Sequence, residues 1–405
     1  MTLTRALFVL SLLPSLAVAD TRDDVARHYA PIIYQETNDA RKDHFAAFDY
    51  DGDWVGTNNL ENLGAFPLVG TVYYSVIETT THWFVQYMPY HPVDWKVTNG
   101  HEHDTESMLA VVAKAGGGLG QLQALEMRFH IEWLDYADAG VTNGAGVVRG
   151  PIHFDATSGR PAVYSQMVGH GICGGFSPPN FLFPDLALVC DHAAAPHIAQ
   201  TGLVYSPDLP AVMPTIVSGA ATPAGYALVD LRATVWPHIH EIGAGHAFKS
   251  AIDYQGARCN QYACPTQFGG DWNGDNGTSP GEPWVQEGGP GSPATGEQFF
   301  DPAYAFSKRL GFPQPFALVY CYNPYLGVDD SCPAVTAPGE EPPGEVTTDG
   351  GIPGTGPDLA EAGKPDAPLL PPDAGGGCQS TPGVPSSASL FAFAFAFALV
   401  RRRAR

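Results

Sequence analysis

Two short runs decide most of what this chain can fold into. Thr71-Val-Tyr-Tyr-Ser-Val-Ile-Glu78 and His82-Trp-Phe-Val-Gln-Tyr-Met88 are dense in β-branched and aromatic residues. The three threonines between them leave room only for a hairpin turn. Ser107 to Lys114 and Leu122 to His130 flank Gly116, Gly117 and Gly118 and read as a second hairpin. Further strands are expected at Pro161 to Met167, Tyr226 to Val235 and Phe316 to Tyr322. No segment keeps a long amphipathic helical period, which argues against a helix-rich fold. The fold class that follows is all-β, a β-sandwich with long decorated loops.

The two ends read as sorting signals. Arg5 precedes an apolar run from Ala6 to Val18, and Ala17-Val18-Ala19 supplies the small-x-small pattern that signal peptidase cleaves, so residues 1–19 read as a signal peptide. The run is short of the ~20 residues a membrane span needs, and Pro14 interrupts it. At the other end a Gly-Gly-Gly-Cys segment closes at Cys378, followed by an apolar stretch from Ala388 to Val400 and then Arg401, Arg402, Arg403 and Arg405. Cationic residues after an apolar run stay cytoplasmic, which puts the preceding chain outside. A plain C-terminal anchor is the alternative, on a run that is short for one. The order of parts over residues 378–405 resembles the MYXO-CTERM sorting tails of myxobacterial surface proteins. That resemblance implies trimming by an intramembrane protease near Cys378, and a protein held at the bacterial cell surface (outer membrane) or secreted.

Between the ends lie a β-rich domain over 20–332 and a stretch over 333–377 dominated by Pro, Gly, Ala, Asp and Glu. That composition cannot build a core and reads as a disordered linker. The chain carries 42 acidic against 20 basic residues, and five of the basic ones sit in the terminal segments. Phosphate-backbone binding needs clustered Lys and Arg, so nucleic acid is excluded as a natural partner. Strong acidity suits solubility outside the cell and the binding of hard cations, without choosing between them. Cys378 belongs to the tail, which leaves Cys173, Cys190, Cys259, Cys264, Cys321 and Cys332. In an exported chain these read as about three disulfides, and nearest-neighbour pairing joins Cys173 to Cys190, Cys259 to Cys264 and Cys321 to Cys332. Sequence does not select among the connectivities that six cysteines allow. A zinc site is the rival reading, yet no pair of C-x-x-C knuckles is present.

The stretch richest in chemistry is Gly100-His101-Glu102-His103-Asp104-Thr105-Glu106, directly before an apolar strand. Crowded ionisable side chains repel one another, and a bound cation is the simplest thing that offsets the repulsion. In an extended chain Glu102, Asp104 and Glu106 point one way while His101 and His103 point the other. Carboxylates on one face favour a divalent cation, Ca²⁺ or Mg²⁺, and a His from the loop end adds a ligand that Mn²⁺ or Zn²⁺ would accept. A solvated charged loop is the alternative.

This heptapeptide looks like the Gly-His-Arg-His-Asp-Trp-Glu motif of necrosis- and ethylene-inducing-like proteins and like the His-x-x-Asp-x-Glu signature of Vps62-type domains. His28-Tyr-Ala-Pro-Ile-Ile-Tyr34 and Val163-Tyr164 followed by Gly169-His170-Gly171 are also similar to Vps62-like chains. The resemblance implies a β-sandwich with a divalent cation near one edge, held by His101, Asp104 and Glu106, with Asp94 an upstream acidic candidate and His170 matching the second family His. The motif's Arg is Glu102 here and its Trp is Thr105, departures that speak against a membrane-toxin activity.

Asp49, Asp51 and Asp53 alternate as calcium ligands do, but the glycine and the bidentate Glu of an EF-hand are misplaced; an Asp/Gly-rich turn is the equal alternative. Asp271-Trp-Asn-Gly-Asp-Asn-Gly277 repeats the theme, and the neighbouring Trp54 and Trp272 could instead serve as sugar-stacking platforms. Trp236-Pro-His-Ile-His-Glu-Ile-Gly-Ala-Gly-His246 lacks the H-E-x-x-H spacing of a zincin. No phosphate-cradling loop of the G-x-x-x-x-G-K-[ST] kind occurs. The function expected is an exported surface protein whose divalent-cation site recognises a glycan, lipid headgroup or envelope partner. A metal-dependent extracellular hydrolase and a structural surface module are the alternatives, and the oligomeric state is open.

Overall fold

A computed structural model describes residues 21–96, 100–175, 190–275, 281–313 and 315–333. The expected signal peptide, the expected linker beyond residue 333 and Cys378 with the expected sorting tail lie outside the described residues.

Helix α1 (Thr21–Tyr29) leads into strand β1 (Ile32–Glu36). The two hairpins follow as read: β2 (Thr71–Thr79) pairs antiparallel with β3 (His82–Pro89), and β6 (Met108–Ala113) with β7 (Gln121–Phe129). Gly116, Gly117 and Gly118 in the second turn all have positive φ, which an L side chain resists. Between the hairpins lie β4 (His91–Asp94) and β5 (His101–Asp104), and β8 (Glu132–Ala137) follows β7. An eight-stranded sheet runs Val148–Gly150, β8, β7, β6, β3, β2, Ala227–Asp230, with Tyr320–Tyr322 also on β2. A six-stranded sheet places β1 between Pro161–Ser165 and Gly202–Ser206.

The large sheet is apolar on both faces, and that explains the architecture. Val72, Tyr74, Val76, Trp83 and Val85 point to one side, where α1 and the six-stranded sheet cover them through Val25, Ile33, Val163 and Leu203. Tyr73, Ile77, Phe84, Leu109 and Val111 point to the other, where residues after 230 close over them, Trp272, Trp284, Phe300 and Phe306 among them. A strand buried on both sides reads as a continuous apolar run, as β2 and β6 do. Each large side chain so buried contributes about 1.5–3 kcal/mol. The protein is thus a β-sandwich with a second, loop-built layer.

Three disulfides staple it: Cys173–Cys190, Cys259–Cys264 and Cys321–Cys332. Three expected strands come out shorter. Pro161 to Met167 ends at Ser165, Phe316 to Tyr322 is strand only from Tyr320, and Tyr226 to Val235 is strand over Ala227–Asp230 before a turn in which Leu231 and Val235 enter the core. Apolar residues there serve a loop layer, which β-propensity alone does not distinguish from a strand. Helices are few and short, α1 and Pro302–Arg309 being the longest among the described residues. None of these is long and apolar enough to cross a membrane.

Candidate metal centre

β3 and β6 pair as far as Tyr87 opposite Met108, and beyond that edge β4 and β5 continue as a two-stranded ribbon. Its register sets His91 opposite Asp104 and Asp94 opposite His101, so cross-strand pairing assembles two acid–histidine couples from residues thirteen and seven apart in sequence. The alternation expected along residues 101–106 does not hold. His103 adopts φ 54°, and the left-handed turn there breaks the two-residue period. Asp94, His101, Asp104 and Glu106 line one cavity of about 150 Å³ together with Lys96, Arg128 and His130. Glu102 leaves that group to accept the Asp275 N–H, and His103 turns into the core.

The histidines divide by their hydrogen bonds. His101 Nδ1 donates toward the carbonyls of His103 (2.9 Å) and Glu102 (3.2 Å), and its Nε2 lies 3.6 Å from Asp94 Oδ2. His103 donates from Nε2 to the carbonyls of Gly56 and Asn273 and accepts the Tyr90 hydroxyl at Nδ1; burial holds its pKa down at about 4, so it is a neutral structural residue. His170 is fully buried between two carboxylates, Nδ1–H to Asp104 Oδ2 at 2.7 Å and Nε2–H to Asp43 Oδ1 at 3.1 Å. Burial disfavours the imidazolium, but the two carboxylates outweigh it and raise the pKa to about 9. Asp43 Oδ2 also accepts the Thr37 hydroxyl and the Asn38 and Asp39 amides. Although burial works against ionisation there, these bonds and His170 bring Asp43 down to about 2, and His170 likewise lowers Asp104.

The remaining acids are held the other way. Burial, then the Asp104 charge, pushes Glu106 well above the carboxylate range and raises Asp94. Glu106 Oε1 accepts the His130 N–H at 3.1 Å, while the buried Oε2 has no hydrogen-bond partner. Glu106 thus shares a cavity lining with Asp94, Asp104 and His101, side chains of the kind that bind hard divalent cations, although the four do not form one of the groups whose ligand atoms lie within 4.8 Å of one another. The cavity is large enough to admit water.

Two tighter groups could hold a metal by distance alone. The ligand atoms of His91, Asp104 and His170 lie within 4.8 Å of one another. The His91 and His170 rings, however, stack at 3.6 Å with an interplanar angle of 6°. Imidazole lone pairs lie in the ring plane, so those of two parallel rings do not converge on one ion. Glu78, Cys321 and Cys332 form the other group, and its sulfurs are spent in a disulfide.

Other sequence candidates fall elsewhere. Asp51 and Asp53 accept hydrogen bonds within their own turn, from the Asp53 and Val55 amides, and with Asp49 they are absent from the convergent groups among the described residues. Trp272 is no sugar platform: it is 1 % exposed and stacks on Phe48 at 4.0 Å and Phe248 at 4.7 Å. Trp54 stacks on His238 at 3.9 Å. His240 bonds the Gln267 carbonyl and stays apart from the cavity.

Sequence reading missed Asp43, His91, Lys96 and His130. Asp43 comes from a loop with no motif; His91 stands only three residues before Asp94 and was open to notice. His130 and His170 both take positive φ, 56° and 52°, a backbone choice no pattern announces.

Among solved structures the chain is similar to a necrosis- and ethylene-inducing protein from the causal agent of cocoa's witches' broom disease, with a TM-score of 0.25 and 16% identity over 42% of this chain and 72% of that one. It is similar to NLPPya in complex with glucosamine at TM-score 0.27 and 14% identity, covering 42% of this chain and 74% of that one. A third structure, described as a toxin fold for microbial attack and plant defense, gives 0.26 and 15% over 45% and 87%. No protein-family model and no curated protein sequence matches the chain.

Proposed function

We propose that the ribbon cavity is a divalent-cation centre, for Ca²⁺ or Mg²⁺, through which the protein recognises a glycan, lipid headgroup or envelope partner. The observation that carries this is that Glu106, whose buried Oε2 has no hydrogen-bond partner, lines one cavity with Asp94, Asp104 and His101. His170 holds Asp104 from behind and fixes its orientation, as outer-shell groups do for metal ligands. A hard cation that keeps waters in such a cavity exchanges them for ligand hydroxyl or phosphate oxygens. The acidic chain surface leaves the cation as the attractive element for an anionic or polyhydroxylated partner.

Elemental analysis of the purified protein, then thermal melts with Ca²⁺ or Mg²⁺ and with chelator, test the centre. A cation present at about 100 times its Kd adds about 2.7 kcal/mol, and Asp104→Asn is expected to remove that increment. A melt indifferent to chelation, with no bound metal, sinks the reading. Glycan-array and liposome binding with and without chelator then separate the partners. We further read the chain as an exported, Vps62-like surface protein with a trimmed MYXO-CTERM-type tail; N-terminal sequencing of surface material should begin at Asp20.

A further inference from the structure

The cavity also receives a cation of the chain's own. Lys96 enters it two residues after Asp94, with its Nζ 3.0 Å from Asp94 Oδ2 and 3.2 Å from His130 Nδ1, and its side chain is 11% exposed. The approach is built on both sides. The Lys96 N–H donates to Asp94 Oδ1 at 2.9 Å, and its carbonyl accepts the Gly100 N–H at 3.0 Å. His130 donates Nε2–H to Gln166 Oε1 at 2.8 Å, which leaves Nδ1 as acceptor for the ammonium. Gly169 supplies the space: a Cβ there would overlap Lys96 Cε and Nζ.

This ammonium satisfies only part of the acid cluster. Asp104 is taken by His170, and Glu106 Oε2 stays without a partner. A single charge on a tether reaches Asp94, whereas a divalent ion with several coordination positions would serve Asp94 and Glu106 together.

We propose that Lys96 is a tethered counter-cation that competes with the divalent ion for Asp94, so that loading the centre expels the Lys96 side chain. This rests on the reading of the cavity as a divalent-cation centre. Lys96 then sets the concentration at which the centre fills, holding it closed to ions until divalent cation is abundant.

The test is calorimetric titration of the full chain with CaCl₂ and with MgCl₂, using wild type, Lys96→Met, Gly169→Ala and Asp104→Asn. Lys96→Met removes the competing charge, and Gly169→Ala keeps it but evicts the side chain. Both are expected to tighten cation binding by about tenfold, equivalent to ~1.4 kcal/mol. A second measurement needs no variant: amine acetylation of Lys96 in wild type, read by mass spectrometry against the exposed Lys249, should rise several-fold at saturating Ca²⁺. Equal or weaker binding in both variants, or acetylation unmoved by Ca²⁺, overturns the counter-cation. Asp104→Asn judges the centre separately. If wild type binds and this variant does not, the centre stands even where the Lys96 proposal has failed; if neither wild type nor Lys96→Met binds, both readings fall.

Discussion

His170 donates a 2.7 Å hydrogen bond to Asp104, and both side chains are buried. Asp43 takes the other ring nitrogen, so two buried carboxylates share one imidazolium. The sheet end that carries Asp104 and the loop that carries His170 are thereby fixed to each other by charge.

Replacing His170 with Gln leaves two buried acids without their cation. Breaking one side of a buried ion pair typically costs about 3–5 kcal/mol, and losing an outer-shell partner costs about 10–100-fold in metal affinity. Urea melts and a Ca²⁺ titration of His170→Gln should show both losses, and a variant that keeps wild-type affinity would deny His170 its orienting role.

Glu106→Gln should behave oppositely in metal-free and metal-loaded protein. Burial first, and then Asp104, raises the Glu106 pKa, and a raised carboxyl contributes stability that is complete below the unfolded value and lost as pH rises through the folded one. Above neutral pH the neutral isostere is therefore expected to melt no lower than wild type in chelator. In saturating Ca²⁺ it should lack most of the wild-type increase. Paired melts at pH 8 with and without Ca²⁺ read both halves.

The hairpins were legible because Thr71–Glu78 and His82–Met88 are apolar on both faces, and a sheet buried on both sides leaves a sequence record that loops cannot blur. His101, Asp104 and Glu106 were legible as a cluster of unusual charge, but their arrangement was not. It depends on His103 leaving the extended region at φ 54° and on a ribbon register that sets Asp94 across from His101. Asp43 had no signal at all, because its role comes from long-range placement of a loop beside His170. Trp272 misled for the opposite reason. Acidic neighbours in sequence suggest a surface, while its ring packs between Phe48 and Phe248.

Acid should loosen the far end of the sandwich through His82. This side chain is fully buried, bonded to Gln123 and Thr81, and its pKa is lowered to about 4 by burial and then by Lys114 against the bond to Gln123. It is neutral when folded and takes a proton near pH 6.5 when unfolded, so its contribution is present above 6.5 and lost as pH falls toward 4. The loss is of order 3 kcal/mol over that window. His82→Gln should flatten the dependence of unfolding free energy on pH by up to about one proton, measured by urea melts from pH 7 to 4. An unchanged slope would mean that His82 takes up its proton in the folded state.

Trp272 joins the core to the candidate centre, and its removal should show in both. Its ring packs between Phe48 and Phe248, and its Nε1–H donates to Thr105 Oγ1 at 3.1 Å, inside the segment that carries Asp104 and Glu106. Trp272→Ala opens a large void and is expected to cost about 3–5 kcal/mol. Trp272→Phe keeps most of the packing and deletes only the hydrogen bond, at about 1 kcal/mol. If Thr105 is what seats Asp104 and Glu106 against the cavity, Trp272→Phe should weaken Ca²⁺ binding by more than that small stability loss accounts for. Affinity unchanged in Trp272→Phe, with stability lost only in Trp272→Ala, would make Trp272 a packing residue alone and leave the ribbon register as what positions the acids.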